Sequence, residues 1–249
     1  MTPEEKGLIA SYQDLIGLVD AKFDEMTHAG HLHESYLRLF EAVAYVYSMG
    51  VRGEVLEFGS WTGKTSVVIA QALKLFDEKF SLSNLYDRKR AYFCDSFTGL
   101  PEITSTADES SIHVRKGIWQ EGAMVWQSAD SLEKLIGGIL PADSFDVIAG
   151  FFAETVEATF ASKRIAMVHC DVDLHSSTVD CLEPLFRLGC LAHGSIILFD
   201  DWNCSAANPE HGQRKAFAEL CETFAVQFSD EGRYSYHGRA VIIQNYRGG

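Results

Sequence analysis

Two pairs of aspartates follow apolar runs of strand length in the second half of the chain. Asp171 and Asp173 come after residues 165–170, and Asp200 and Asp201 end the next such run. If both runs are parallel strands, their carboxyl ends meet at one sheet edge, where four carboxylates repel each other. A divalent cation would neutralise them, and oxygen ligands favour Mg²⁺, Ca²⁺ or Mn²⁺. The alternatives are a helix cap for Asp171 and a solvated loop position for Asp200.

A divalent cation at this edge would have a chemical use. It would act as a Lewis acid on a substrate hydroxyl and lower the pKa of that oxygen. A general base would complete the site, and His175 follows the aspartates at the start of the next predicted helix. Asp171 and His175 are therefore the candidate catalytic residues. His169 lies inside the preceding strand, and we interpret it as a hydrogen-bonded core histidine.

A glycine-bearing turn stands between the first apolar run and a helix start. Gly59 and Gly63 enclose three residues, whereas a P-loop has four between its glycines. Trp61 occupies the position of the middle glycine of a dinucleotide fingerprint, where its indole would block a pyrophosphate. The carboxylate of Glu57, just before the turn, repels phosphate and suits a cationic ligand. The pattern resembles the first motif of S-adenosylmethionine methyltransferases, and a turn without a ligand is the alternative.

A further carboxylate, Asp95, ends the second apolar run beside this turn. An adenosine ribose would present its two hydroxyls at that place, and a carboxylate can accept both hydrogen bonds. Asp95 is therefore the candidate ribose ligand, and an acidic helix cap is the alternative.

Alternating strand and helix patterns must position these residues. From residue 53 on, short apolar runs alternate with longer segments of helical period, which predicts a parallel sheet with crossover helices. The predicted strands are residues 55–58, 91–94, 145–149, 165–170 and 195–199, and the predicted helices are residues 64–76, 131–139, 176–188 and 213–224. Residues 102–126 show no clean period, which predicts a loop that could cover the substrate.

The two ends of the chain differ from this alternating pattern. Apolar residues recur at helical spacing over 5–23 and 36–47, which predicts two helices before the first strand. Near the other end, residues 225–228 and 239–244 are strand-like and separated by residues 229–233, with no room for a crossover helix. An α/β sheet that closes with one antiparallel hairpin strand and carries helices on both faces is thus expected.

Composition excludes several classes of partner. The formal net charge of −14 opposes attraction to nucleic acid and to anionic membranes. No apolar run approaches the roughly 20 residues that a membrane-spanning helix needs. Because the first residues also lack the features of a signal peptide, a cytoplasmic location is expected.

With these motifs in view, the chain resembles the macrocin O-methyltransferase (TylF/MycF/NovP-like) family. Five segments carry the resemblance in family order, and the specific ones are D-S-F-x-G-L-P-E from Asp95 and D-x-D-L-x-x-S-T from Asp171. The resemblance implies a Rossmann-like class I methyltransferase core over residues 53–249, preceded by a helical segment over 1–52 that caps the substrate or joins subunits. The family usually has Tyr where this chain has His175, which leaves the base and the acceptor contacts open.

The resemblance also assigns site residues. It implies Mg²⁺ or another divalent cation bound by Asp171, Asp200 and Asp201, a hydroxyl acceptor on a sugar or another secondary-metabolite scaffold, and a homo-oligomer. Together with the turn, it predicts that S-adenosylmethionine contacts Glu57, Phe58, Gly59, Ser60, Gly63, Thr65, Ser66, Asp95, Ser96, Phe97, Gly150, Phe151 and Asp171. The alternatives are transfer to nitrogen or carbon, another reaction of the same cofactor, and a non-catalytic cofactor-binding subunit.

Overall fold

The computed structural model describes residues 31–80 and 88–248. Its first helix, α1 (His31–Ser48), contains the helix predicted at 36–47. The helix predicted at 5–23 lies outside the described residues. The predicted N-terminal segment, residues 1–52, is therefore described only from residue 31 onward.

A seven-stranded sheet with the order β3-β2-β1-β4-β5-β7-β6 forms the centre of the fold. The first five strands pair in parallel, and β7 is antiparallel to both β5 and β6. The strands are β1 (Glu54–Phe58), β2 (Ala91–Asp95), β3 (Phe145–Ala149), β4 (Ile165–Cys170), β5 (Leu191–Phe199), β6 (Gln227–Tyr234) and β7 (Gly238–Asn245). The predicted mostly parallel sheet with an antiparallel strand in the C-terminal hairpin is confirmed.

The centre of the hairpin turn lies five residues further along the chain than the sequence pattern places it, at residue 236 and not at residue 231. Residues 229–233, predicted as the turn, belong to β6, and the turn is residues 235–237. The polar run stays in the ladder because a register shift between Asp230 and Gly232 absorbs one residue. Strand β5 also begins earlier than predicted, because Leu191 already pairs with Ile165.

Helices cover both faces of the sheet. The predicted helices correspond, with small differences at their ends, to α2 (Lys64–Phe80), α5 (Ala129–Gly137), α7 (His175–Arg187) and α8 (Gly212–Phe224). Helix α6 (Phe152–Phe160) is not expected from the sequence pattern, because its only fully buried side chains, Val156 and Phe160, mark a single turn. Helices α1, α2 and α5 pack on one face, and α6, α7 and α8 pack on the other.

The predicted loop at 102–126 contains two single-turn helices, α3 (Thr106–Glu109) and α4 (Ile112–Arg115). Ser105 and Ser111 accept hydrogen bonds from backbone N–H groups at the two helix starts, so two capping serines are the local signal. Within the described ranges, no helix combines the length and the apolar character needed to cross a bilayer.

Candidate active site

A large cavity of about 940 Å³ opens at the carboxyl ends of the parallel strands. The glycine turn after β1, the end of β2, the loops after β4 and β5, and the hairpin turn all contribute to its wall. Of the predicted site residues, the wall contains Gly59, Ser60, Thr65, Asp95, Ser96, Phe151, Asp171 and Asp200. Strand order thus brings the glycine turn and the acidic loops together, because β1 lies between β2 and β4.

The packing of the turn against β4 requires a glycine at position 59, whether or not a ligand binds there. The φ of Gly59 is +85°, and an added Cβ would lie 1.7 Å from the backbone oxygen of Asp171. The turn after β1 therefore packs directly against the end of β4, which only glycine permits. This contact also brings the backbone of Asp171 against the predicted cofactor turn.

Asp95 braces the same turn from the neighbouring strand. Its Oδ2 accepts hydrogen bonds from the backbone N–H groups of Ser60 (2.8 Å) and Trp61 (3.1 Å), and its Oδ1 accepts from that of Phe97 (2.8 Å). A carboxylate has about four acceptor sites, so three bonds leave room for one more donor. Asp95 is on the cavity wall and holds the turn in a defined shape without a ligand.

Glu57 lies beneath the wall and not on it. The residue is 1% exposed, and its Oε2 accepts from the hydroxyls of Ser66 and Ser60, the latter at 3.3 Å. Its Oε1 lies 3.1 Å from Nδ1 of His169, which is equally buried. The interpretation of His169 as a hydrogen-bonded core residue is confirmed, and its partner is the acidic residue of the predicted cofactor motif.

Other predicted cofactor residues are also absent from the described wall. Phe58 is fully buried and packs edge-on against Phe152 and Phe160. The remaining four, Gly63, Ser66, Phe97 and Gly150, are absent from the wall within the described residues. Gly150 still touches the site indirectly, because its N–H donates to the backbone oxygen of Asp95 at 3.0 Å.

The acidic loops after β4 and β5 form a cluster of four carboxylates, Asp171, Asp173, Asp200 and Asp201. Burial raises the pKa of Asp171 well above its usual value, and the charges of Asp200, Asp201 and Asp173 raise it further. Burial and the neighbouring Asp200 raise the pKa of Asp201 to about 6. The Oδ2 of Asp201 accepts the N–H of Asp173 at 3.1 Å, which ties the two loops together.

The carboxylate cluster fits a divalent cation in its chemistry. It offers only oxygen ligands, and after burial the neighbouring carboxylates are the next cause of the raised pKa values, a repulsion that a cation would remove. Over residues 31–80 and 88–248, no group of three or more His, Cys, Asp or Glu side chains is arranged so that it could hold a metal ion. Side-chain rotation would therefore have to accompany metal binding.

Two histidines near the cluster, His175 at the start of α7 and His237 in the hairpin turn, have different positions. His175 is absent from the described wall, and its Nε2 lies 2.7 Å from Oε2 of Glu219. His237, which sequence reasoning missed, is on the wall, and its Nδ1 donates to the backbone oxygen of Asp200 at 2.7 Å. No local signal marks His237, because the pattern places the hairpin turn before it.

Strand order and the cavity over the glycine turn together define a Rossmann-like methyltransferase fold. The O-methyltransferase NovP has a TM-score of 0.68 at 18% identity, with 87% of this chain and 84% of that chain covered. The calicheamicin methyltransferase CalS11 has a TM-score of 0.64 at 20% identity, with 97% and 93% covered. The chain belongs to the Macrocin-O-methyltransferase (TylF) family, whose profile matches residues 26–219.

Two curated relatives are similar over part of their length. One is the 8-demethyl-8-(2,3-dimethoxy-alpha-L-rhamnosyl)-tetracenomycin-C 4'-O-methyltransferase of Streptomyces olivaceus. It is 27% identical over 168 residues, which is 66% of this chain and 58% of the relative. Mycinamicin III 3''-O-methyltransferase of Micromonospora griseorubida is 26% identical over 175 residues, which is 68% of this chain and 64% of the relative. The chain thus spans less than two thirds of either relative.

Proposed function

We propose that this protein transfers the methyl group of S-adenosylmethionine to a hydroxyl of a small molecule. The observation that carries the proposal is the shared cavity, which joins the braced turn after β1 to the carboxylate cluster after β4 and β5. A methyl donor over the turn would then lie beside an acceptor oxygen at the cluster, and in-line transfer needs that proximity. Membership of the Macrocin-O-methyltransferase (TylF) family supports the same reaction.

The cofactor side would work through backbone geometry and buried charge. The remaining acceptor capacity of Asp95 suits a ribose hydroxyl, and Ser60 and Thr65 offer further polar contacts from the wall. Glu57 would act from below, because its carboxylate orients Ser60 and Ser66 and adds negative charge under a sulfonium. The positive charge of the cofactor would then be stabilised without direct contact with Glu57.

On the acceptor side, the proposed metal ligands are Asp171, Asp200 and Asp201. A bound Mg²⁺ would supply Lewis-acid polarisation of the acceptor hydroxyl. Asp171 is the proposed proton acceptor, because it lies on the wall where β4 meets the cofactor turn. His175 is less suitable, since its ring is bonded to Glu219 outside the described wall.

The wall suggests which acceptors fit. Apolar side chains such as Tyr36, Leu100 and Met124 contribute to it, and the exposed ring of Trp61, also on the wall, meets that of Trp126 edge-on at 6.3 Å. Among the described residues, the wall has one Lys or Arg side chain, that of Lys64, against several carboxylates. A neutral or cationic glycosylated scaffold is therefore favoured over an anionic acceptor such as a sugar nucleotide.

The N-terminal segment, residues 1–52, would cap the acceptor side of the cavity. Ser35 and Tyr36 of α1 already contribute to the wall, which supports this role. Assembly into a homo-oligomer, in which such a segment also joins subunits, is proposed with it on the basis of the family resemblance alone.

Calorimetric titration with S-adenosylhomocysteine tests the cofactor directly. We expect binding by the wild type and weaker binding, by roughly tenfold, for Asp95→Asn, because an amide has one acceptor oxygen and its NH₂ would face at least one of the three backbone N–H groups that Asp95 accepts. Glu121→Gln, an exposed change outside the described wall, is the control. If the wild type binds no S-adenosylhomocysteine, the proposed function is wrong.

Methyl transfer itself can be followed with isotopically labelled S-adenosylmethionine and a panel of acceptors. We expect labelled product with neutral or amino-bearing glycosides, loss of turnover in EDTA and recovery with Mg²⁺. Turnover only with sugar nucleotides would contradict the acceptor class, and full turnover in EDTA would contradict the metal.

A further inference from the structure

A buried tyrosine behind the carboxylate cluster has a hydroxyl without a hydrogen-bond partner. Tyr234, the last residue of β6, is 3% exposed, and within the described part of the chain nothing bonds to its hydroxyl. The hydroxyl of Tyr246, by comparison, donates to the backbone oxygen of Leu191 at 2.9 Å. Burying a phenol hydroxyl without a partner destabilises the folded state, so an unpaired one calls for an explanation.

The position of the ring shows where this hydroxyl points. Tyr234 pairs with Gly238 across the β6–β7 ladder, and the pairing of Phe199 with Arg239 places Asp200 beside Gly238 on the other side. A Cβ on Gly238 would lie 2.3 Å from Cε2 and 2.4 Å from Cζ of Tyr234. The ring therefore crosses β7 through the space that the glycine leaves open, and its hydroxyl is directed from β6 toward the end of β5.

The charges around this hydroxyl also indicate that it is directed toward the end of β5. Burial raises the pKa of Tyr234, and the next largest causes are the carboxylates of Asp200, Asp171 and Asp201, in that order. The phenol thus stays protonated at neutral pH, and toward an ionised carboxylate it can act only as a hydrogen-bond donor. No carboxylate of the described cluster accepts from it in this arrangement.

We propose that Tyr234 donates a hydrogen bond to the Asp200 carboxylate when the cluster closes around a divalent cation. This inference rests on the metal of the proposed function and adds a residue to it. Carboxylates that bind metals are themselves hydrogen-bonded by outer residues, which orient them and tune the affinity. Tyr234 is a positioning residue in this scheme, because it acts through Asp200 and does not touch the cation.

Titration with Mn²⁺ alone, followed by electron paramagnetic resonance or calorimetry, tests this role without an acceptor. Tyr234→Phe keeps the ring against Gly238 and removes only the hydroxyl, so we expect Mn²⁺ affinity to fall about tenfold. In the metal-free protein the same change should leave Tm unchanged or raise it. Tyr246→Phe, the matched control, should lower Tm and leave Mn²⁺ affinity unchanged.

The outcomes separate this inference from the proposed function. Equal Mn²⁺ affinity for the wild type and Tyr234→Phe overturns the role of Tyr234 and leaves the metal site standing. A wild type that binds no Mn²⁺ overturns the metal itself and this inference with it. If Tyr234→Phe fails to fold, NMR of wild-type protein with ¹³Cζ-labelled tyrosine decides, because Mg²⁺ should shift the Tyr234 signal and not that of Tyr246.

Discussion

The two acidic regions of the cavity contrast in how their carboxylates are compensated. Around the turn after β1, Asp95 accepts three backbone hydrogen bonds, and Glu57 is bonded to two serines and a histidine. In the cluster, the carboxylate of Asp201 accepts two hydrogen bonds, whereas those of Asp171 and Asp200 accept none within the described residues. In the turn region, donors of the protein itself compensate the carboxylates. In the cluster, the carboxylate charges are only partly compensated.

This difference separates two ways of building a binding site. Donors arranged around Asp95 hold the turn in one shape, so a ligand meets a preorganised surface and loses little free energy in ordering it. The carboxylates of the cluster repel one another. A cation that binds among them relieves this repulsion, which favours its binding. The turn region should therefore depend on backbone geometry, and the cluster on charge.

The largest effect expected is on the cluster. Asp200→Asn removes a proposed metal ligand, so Mn²⁺ affinity should fall by at least about 100-fold, more than for the loss of an outer partner. Affinity for S-adenosylhomocysteine should stay within about twofold, because the braced turn is untouched. The control for both titrations is Asp143→Asn, which makes the same change of charge just before β3, at the amino ends of the parallel strands. Equal loss of both affinities would show that the two regions are not separable.

The next effect is on the turn. In Gly59→Ala, the added Cβ meets the Asp171 oxygen and the residue keeps a positive φ, so unfolding free energy should fall by more than about 2 kcal/mol. Gly122→Ala shares the positive φ, at +73°, but meets no atom within 4 Å, and should lose only about 1–2 kcal/mol. Chemical denaturation measures both. Similar losses for the two variants would show that the contact with β4 does not matter.

The smallest effect concerns pH. The pKa of Asp201 is raised from 3.8 to about 6 in the folded protein, so the folded state retains a proton that the unfolded state loses between these values. Asp201 therefore destabilises the fold progressively as pH rises through this window, and fully above it. The Tm of Asp201→Asn relative to the wild type should increase between pH 4 and pH 7, by a few degrees, in metal-free buffer. A pH-independent difference would contradict the raised pKa of Asp201, and saturating Mg²⁺ should reverse the trend by stabilising the wild type.

Much of the fold follows from local pattern. The runs at 165–170 and 195–199 are apolar on both faces, which only a central parallel strand requires, and their acidic ends are visible in the sequence. Helix α6 and the hairpin turn are different. A short helix with a single buried turn and the register shift between Asp230 and Gly232 leave no periodic signal, so each depends on what the neighbouring strands impose.

The candidate site divides in the same way. Residue type and spacing identify Asp95, Asp171 and Asp200 as wall residues, because strand ends of a parallel sheet share one edge. The sequence alone determined that a glycine turn and two acidic loops would meet at this edge of the sheet. Only the tertiary structure decided that Glu57 lies beneath the wall with His169, that His175 bonds to Glu219, and that Tyr234 reaches across Gly238. Those contacts join residues distant in sequence, and side-chain direction is set by packing, which no local pattern records.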